Sequence, residues 1–322
     1  MRTLVTGATG FVGSHLADAL RRRGDDVTAL VRSSRKAQPL TAMGVSVVAG
    51  DLHDVAALRR AVEGQDVVYH VAGLVAARNE AEFLTANREG TENVVAAMEK
   101  AAVPRLILVS SLAAAGPAPR GAPLRGDEPP QPVTAYGRSK LAAEQTVRRS
   151  GLSWSIVRPP IVYGPRDREI LKVFRLARLR IAAVFGDGAQ ELVAVHAGDL
   201  AAALIAVGSS PSTAGRTYTA CHPEVFTSAE FGVAVAAAMG RSVATLRIPQ
   251  SVGRAVLSLT EAAANLARQP TILTADKANE FFQPAWTGDP GPLTRDTGWR
   301  AGYDLKSGLA HTYRWYRDAG WL

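Results

Sequence analysis

Thr3-Leu4-Val5-Thr6 is a strand-like run that leads directly into Gly7-Ala8-Thr9-Gly10-Phe11-Val12-Gly13, three glycines spaced by three. An amphipathic stretch follows and closes on Arg21-Arg22-Arg23-Gly24. No other segment restricts the chain so tightly. Gly7 permits a tight turn, Gly10 lets backbone approach a ligand with no Cβ in the way, and Gly13 lets the following helix lie close on the strand. The helix would then present its unbonded N–H groups at one point, which suits a pyrophosphate. A glycine-rich turn by itself carries little weight. A strand before it and a helix after it supply the context that gives it meaning.

Strand-length apolar runs recur at 3–6, 27–31, 45–49, 67–71, 106–110 and 153–157, with helix-length stretches such as 11–23, 55–62 and 80–102 between them. That alternation predicts an α/β fold, a Rossmann-type doubly wound parallel sheet with helices on both faces. After Pro165 it fades. Residues 168–180, 228–239 and 252–268 read as helices, 217–220 as a strand, and Asp199 is expected to cap a short alanine-rich helix. The expected division is a nucleotide-binding domain at 1–165 and 193–210, with a smaller, mostly helical C-terminal substrate domain at 166–192 and 211–322. The loop 117–132 holds six prolines and stands just ahead of Tyr136. It is expected to be irregular and to border the active site. Trp299, Tyr313, Trp315, Tyr316 and Trp321 read as core packing.

Composition narrows the function classes. A chain of 322 residues, 20% charged and 47% hydrophobic, suits a soluble enzyme. The single cysteine, Cys221, excludes an internal disulfide framework and fits a reducing cytoplasm. The N-terminus enters a strand with no basic-then-apolar leader, so no export signal is expected. No apolar run approaches the ~20 residues of a membrane span. The net charge of +8 comes mainly from scattered arginines. With no basic run interleaved with aromatics, nucleic acid is not an expected partner. No spacing of Cys, His and carboxylates suggests a metal.

Tyr136-Gly137-Arg138-Ser139-Lys140 places a phenol and an ammonium four residues apart, on one face of a helix expected over 134–150. A neighbouring cation favours the phenolate and would lower the phenol pKa from about 10. Ser110-Ser111 lies some 25 residues upstream, and a serine hydroxyl there could hold a substrate oxygen. Together these groups form a proton-transfer device for interconverting an alcohol and a ketone.

These pieces resemble the extended short-chain dehydrogenase/reductase family, also called the NAD-dependent epimerase/dehydratase family. The resemblance runs over nearly the whole chain. Besides the glycine triplet and Tyr136-x-x-x-Lys140 it includes Gly50-Asp51-Leu52, Val68-Tyr69-His70-Val71-Ala72-Gly73, Asn87-Arg88-Glu89-Gly90-Thr91 and Val109-Ser110-Ser111. It continues with Arg158-Pro159-Pro160-Ile161-Val162-Tyr163-Gly164-Pro165 and Val195-His196-Ala197-Gly198-Asp199-Leu200. It is closest to the branch of 3β-hydroxysteroid dehydrogenases and dihydroflavonol reductases.

The resemblance implies Ser111, Tyr136 and Lys140 as catalytic residues, with Ser110 in reserve. It implies that the cofactor meets Gly7, Thr9, Gly10, Phe11, Val12, Gly13, Asp51, Leu52, Ala72, Gly73, Tyr136, Lys140 and Pro159. Asn87, His70 and His196 are read as structural. Members that prefer NAD end the second strand in a carboxylate. Here Val31 stands at that position, followed by Arg32, with Ser33, Arg35 and Lys36 in support, so NADP(H) is the expected cofactor. Nucleotide-sugar members place an arginine six residues after the first glycine of a Gly-x-Gly turn, and this chain has Leu192 there, after Gly186-Asp187-Gly188. The implied substrate is an apolar ketone or alcohol that touches Ser111, Ala113, Tyr136 and Leu192. Two alternatives stay open: a nucleotide-sugar epimerase or dehydratase, with Arg166, Arg168, Arg175, Arg178 or Arg180 as phosphate partners, and a non-catalytic NADP-binding regulator. A homodimer through the helices at 80–102 and 134–150 is also implied.

Overall fold

The computed structural model describes residues 1–267 and 269–322, and at Ser34 the backbone alone. Its centre is a sheet of seven parallel strands. In chain order these are β1 (Arg2–Thr6), β2 (Asp26–Val31), β3 (Ser46–Ala49), β4 (Val67–His70), β5 (Arg105–Val109), β6 (Ser153–Arg158) and β7 (Arg216–Thr219). Their order across the sheet is β7-β6-β5-β4-β1-β2-β3, so the order in which strands are added reverses between β1 and β4. In open sheets of this kind a crevice opens there, beyond the carboxyl ends of the strands. The doubly wound sheet is as expected. The sheet takes its last strand from 216–219, past the 193–210 return expected for that domain.

The inner strands are buried on both sides, so apolar residues from both faces anchor helices. On one side Leu16 and Leu20 of helix α1 (Phe11–Arg23) pack with Leu200, Leu204 and Val207 of the helix Ala197–Ser209. On the other, Leu58, Val62, Val94, Met98 and Val147 form a second layer. Each such side chain contributes about 1.5–3 kcal/mol on burial. Gly7 has φ +73°, and a Cβ on Gly13 would lie 2.2 Å from the Gly7 carbonyl oxygen. Only glycine at 13 lets α1 start that close to β1. The aromatics Phe174, Phe231, Tyr316 and Trp321 pack a third core in the C-terminal lobe. Trp321 departs from pure packing, because it also reaches the main cavity, beneath Arg168.

Several elements differ from expectation, each for a local reason. A helix forms over Ser34–Ala42 although Pro39 lies inside it; Ala37 and Leu40 are buried and hold it against the sheet. The stretch expected as one helix over 80–102 widens into a π turn at Thr85–Glu89, which carries the buried Asn87. Asp199 does not cap its helix. The His196 ring does, accepting the Gly198 N–H at 3.1 Å, while Asp199 accepts the N–H groups of Gly302 and Tyr303. The helix expected over 252–268 runs Gln250–Leu266, and Arg268 lies outside the described residues. The loop 117–132 is irregular, as expected, but lines no part of the main cavity. It runs beside the 285–289 segment, where Ala118 and Leu124 donate N–H groups to Ala285 and Thr287. Among the described residues no helix is long and apolar enough to cross a membrane.

Candidate active site

One cavity of about 1330 Å³ runs from the β1–α1 turn to the C-terminal lobe. Its nucleotide end is built from strand ends. Gly10 precedes α1 and brings no side chain to bond the first-turn N–H groups, which leaves them to a ligand. Across the crevice the Thr6 hydroxyl accepts the Ala72 N–H at 3.2 Å and meets His70 Nδ1 at 2.7 Å. The other ring nitrogen of His70 meets Thr91, whose hydroxyl is committed to the Asn87 carbonyl at 2.6 Å. Nε2 therefore donates and Nδ1 accepts. Burial holds this ring well below its ordinary pKa, at about 3, so it is neutral. His70 braces the switch point and takes no proton. His196, tied to Gly198 and His311, is likewise a structural residue.

The helix Ala135–Arg149 brings Tyr136 and Lys140 to the cavity. Thr134 caps it, accepting the Gly137 N–H at 3.2 Å. Tyr136 is half-buried, and burial pushes its phenol up to about 12; the Ser111 hydroxyl pulls it down, and the Glu280 carboxylate pushes it up again. Lys140 is buried and donates to the Val109 carbonyl at 2.7 Å, and burial lowers its pKa to about 8. This differs from the expectation that Lys140 depresses the phenol. Lys140 is not among the groups that shift the phenol, and desolvation is the largest influence on it. Ser111 caps the short helix Leu112–Ala115 and lines the cavity. Ser110 is otherwise engaged, donating at 2.6 Å to Glu144, which also accepts two bonds from Arg158. Asn87 clamps the segment after β4 to this helix, through Leu74 at 2.8 and 3.1 Å and Ser139 at 2.9 Å.

Most of the residues singled out in the sequence line this one cavity: Gly7, Thr9, Gly10, Phe11, Val12, Gly13, Arg32, Asp51, Leu52, Ala72, Gly73, Ser111, Ala113, Tyr136, Lys140, Pro159 and Leu192. Ser33 and Arg35 do not line it, whereas Lys36 does. Arg32 is exposed and, among the described residues, pairs with no carboxylate. Pro39 and Leu40 of the unforeseen helix, with Met43 just past it, complete that end. Of the five arginines weighed as phosphate partners, Arg166 and Arg168 reach the cavity and Arg175, Arg178 and Arg180 do not. Arg166 has φ +74°, and burial lowers its pKa.

Asp276, Lys277 and Glu280 carry no signal in the sequence. Asp276 accepts the Ala135 N–H and Glu280 accepts the Thr134 hydroxyl, each at 2.7 Å, so the C-terminal lobe holds the start of the tyrosine helix. Lys277 pairs with Glu280 and lies 5.9 Å from the Tyr136 ring centre. Much of that lobe's wall is apolar, with Val173, Phe185, Leu192, Phe231, Ile272 and Phe281, while Asp167, Arg168, Glu169, Gln190 and Ser228 also line it.

Comparison with known proteins agrees with this geometry. The profile of the family described as "NAD dependent epimerase/dehydratase family" matches residues 3–221. The chain is 34% identical to "Ceramide reductase" of Caulobacter vibrioides over 318 residues, covering 99% of this chain and 95% of that protein. It is 39% identical over 180 residues to "4-hydroxy-2-methyl-3-oxo-4-farnesyl-3,4-dihydroquinoline-1-oxide ketoreductase" of Stigmatella aurantiaca, covering 53% of each. Among solved structures, "MoeE5 in complex with UDP-glucuronic acid and NAD" superposes with a TM-score of 0.79 at 26% identity, covering 99% of this chain and 100% of that one.

Proposed function

This chain belongs to the NAD-dependent epimerase/dehydratase family, whose members use a nicotinamide cofactor, and we propose that it acts there as a cytoplasmic NADP(H)-dependent oxidoreductase. The proposed reaction interconverts a ketone and a secondary alcohol on a largely apolar substrate. The observation that carries this reading is the apolar wall of the cavity, with Leu192 where the family's nucleotide-sugar enzymes keep an arginine. A diphosphate beside Leu192 would lack the arginine those enzymes keep there, and leaving it unpaired at that point would cost about 3–5 kcal/mol. The names of two relatives support the same class, one a reductase of ceramide and one a ketoreductase of a farnesyl-bearing quinoline oxide.

The residues present fit the cofactor: a tight glycine turn in which a Cβ on Gly7 or Gly13 would strike backbone, uncapped N–H groups at α1, and Arg32 with Lys36 beyond β2. When bound, the reduced nicotinamide supplies the hydride. The chain supplies the rest. Tyr136 gives its proton to the carbonyl oxygen, so that hydride and proton together make the alcohol. Ser111 donates a hydrogen bond to that oxygen and orients it. Lys140, with one N–H on the Val109 carbonyl, keeps two for the ribose hydroxyls. The C-terminal lobe is the proposed substrate domain and excludes water from the reacting atoms. The helices Ala135–Arg149 and Glu80–Leu84 with Gly90–Lys100 remain the proposed dimer face, which light scattering would test.

The nucleotide-sugar reading keeps one specific support, the half-buried Arg166 beside the glycine loop. Cofactor choice is tested at Arg32. Arg32→Ala removes a charge-assisted bond to the 2′-phosphate worth about 1.5–3 kcal/mol, so NADPH binding by fluorescence should weaken about tenfold to a hundredfold. NADH binding should hardly change. Equal losses, or a wild type that prefers NADH, would reject the assignment.

A further inference from the structure

The helix Gln250–Leu266 carries more apolar surface than its neighbours cover. Gly253 and Leu257 face inward, and a Cβ on Gly253 would sit 2.9 Å from the rings of Phe185 and Phe282. Beside that buried face, Val252, Val256, Leu259, Ala263 and Leu266 follow one another every three or four residues and so form one stripe. All five are exposed, Leu259 by 70% and Leu266 by 89%. Among the described residues nothing covers them. The apolar surface continues onto Leu246 of the preceding strand, which shares a face with Ala183 across the pairing of Ala244–Ile248 with Ile181–Phe185. It ends at the cavity: Leu176 and Ile181 line the cavity wall yet stay 42% and 37% exposed, so they stand at its mouth.

The segments that carry this surface have charges of nearly one sign, with Arg247 and Arg254 on faces turned away from the stripe. Segments 175–181 and 241–267 hold six arginines (Arg175, Arg178, Arg180, Arg241, Arg247 and Arg254), all exposed, and a single acid. That acid, Glu261, accepts the Ala275 N–H at 2.9 Å. Two copies meeting here would bring like charges together. An anionic lipid surface, in contrast, offers hydrocarbon to the stripe and opposite charge to the arginines, each cation near such a surface contributing about 1 kcal/mol.

We propose that this face docks the enzyme on an anionic membrane surface, with the helix Gln250–Leu266 lying in the interface and the cavity mouth opening toward the lipid. Substrate then passes from the bilayer into the cavity without crossing water. That last step rests on the apolar-substrate reading above; the docking does not.

Co-sedimentation of the full chain with vesicles tests it, and needs no turnover. Phosphatidylglycerol–phosphatidylcholine vesicles should bind the protein about tenfold or more better than phosphatidylcholine alone, and about 0.5 M salt should remove most of the difference. The triple variant Val256→Gln, Leu259→Gln, Leu266→Gln should bind those vesicles about tenfold or more weakly, with circular dichroism and NADPH binding unchanged, because these side chains touch neither core nor cofactor. Three results would each overturn the proposal: no preference for anionic vesicles, a triple variant that binds as well as wild type, or self-association of the wild type that the triple variant abolishes. A protein that binds vesicles but reduces no ketone would refute the reductase reading alone.

Discussion

The Tyr136 phenol sits among three influences: burial, which raises its pKa to about 12, the Ser111 hydroxyl, which lowers it, and the Glu280 carboxylate, which raises it. Glu280→Gln removes one negative charge with little change of shape, so the phenol should ionise at lower pH. Alcohol oxidation needs the phenolate. Its rate in Glu280→Gln should therefore rise at a lower pH than in wild type, with NADP⁺ affinity unchanged. A pH–rate profile that does not move would remove Glu280 from the electrostatics of the site. Tyr136, Lys140, Ser111 and the glycine turn were legible in the sequence because each lies in a short motif whose spacing has meaning on one helix or at one turn. Glu280 was not. It reaches Thr134 across 146 residues, and nothing local in Asn279-Glu280-Phe281 announces a partner. The protonation states were illegible for a related reason, since desolvation depends on what the fold packs around a group and not on its neighbours in sequence.

Between elements, the junction that positions the site is the buried pair of Glu144 on the tyrosine helix and Arg158 at the end of β6, 0% and 2% exposed. Glu144 accepts from Arg158 at 2.8 and 2.7 Å and from Ser110 at 2.6 Å. Glu144→Ala would leave a buried guanidinium without a counter-charge, so urea unfolding should show a loss of about 3–5 kcal/mol. Arg148 also faces Glu144 but is 38% exposed, and Arg148→Ala should cost only about 1 kcal/mol or less. Similar losses for both would mean that the buried pair is not what holds the helix. At this scale the sequence was legible where an element carries its own ends. Helix α1 is bounded by Gly10 and Gly24, and the helix Val55–Val62 starts at the Asp54 cap with four buried apolar residues on one face. It failed where tertiary contact overrides local preference. Pro39 argues against the helix Ser34–Ala42, and only the burial of Ala37 and Leu40 sustains it. The parallel pairing of Ile181–Phe185 with Ala244–Ile248 joins segments about 60 residues apart, and the second strand is too exposed to show an alternating pattern.

For the molecule as a whole, three histidines are folded in the neutral form. Burial, the largest cause at each, lowers His15 to about 4 and His70 and His196 to about 3. In the unfolded chain they would titrate near 6.5. Their contribution to stability is thus complete above about pH 6.5 and is lost as pH falls toward 3. Asp167 works the other way: burial raises its carboxyl to about 6, so between about pH 4 and 6 the folded state holds a proton that the unfolded state has released. The balance still favours acid lability. The unfolding temperature should fall steadily below about pH 6.5, and more steeply in Asp167→Asn; a flat profile down to about pH 4 would show that these rings are not held neutral. The central claim, that the cavity reduces an apolar ketone with NADPH, is tested most directly by following nicotinamide absorbance with purified protein, NADPH and a long-chain or polycyclic ketone. The account predicts ketone-dependent loss of NADPH, little loss with NADH, and almost none in Tyr136→Phe, which should still bind NADPH. No ketone-dependent loss, together with NAD retained through purification and turnover of a UDP-sugar, would contradict it.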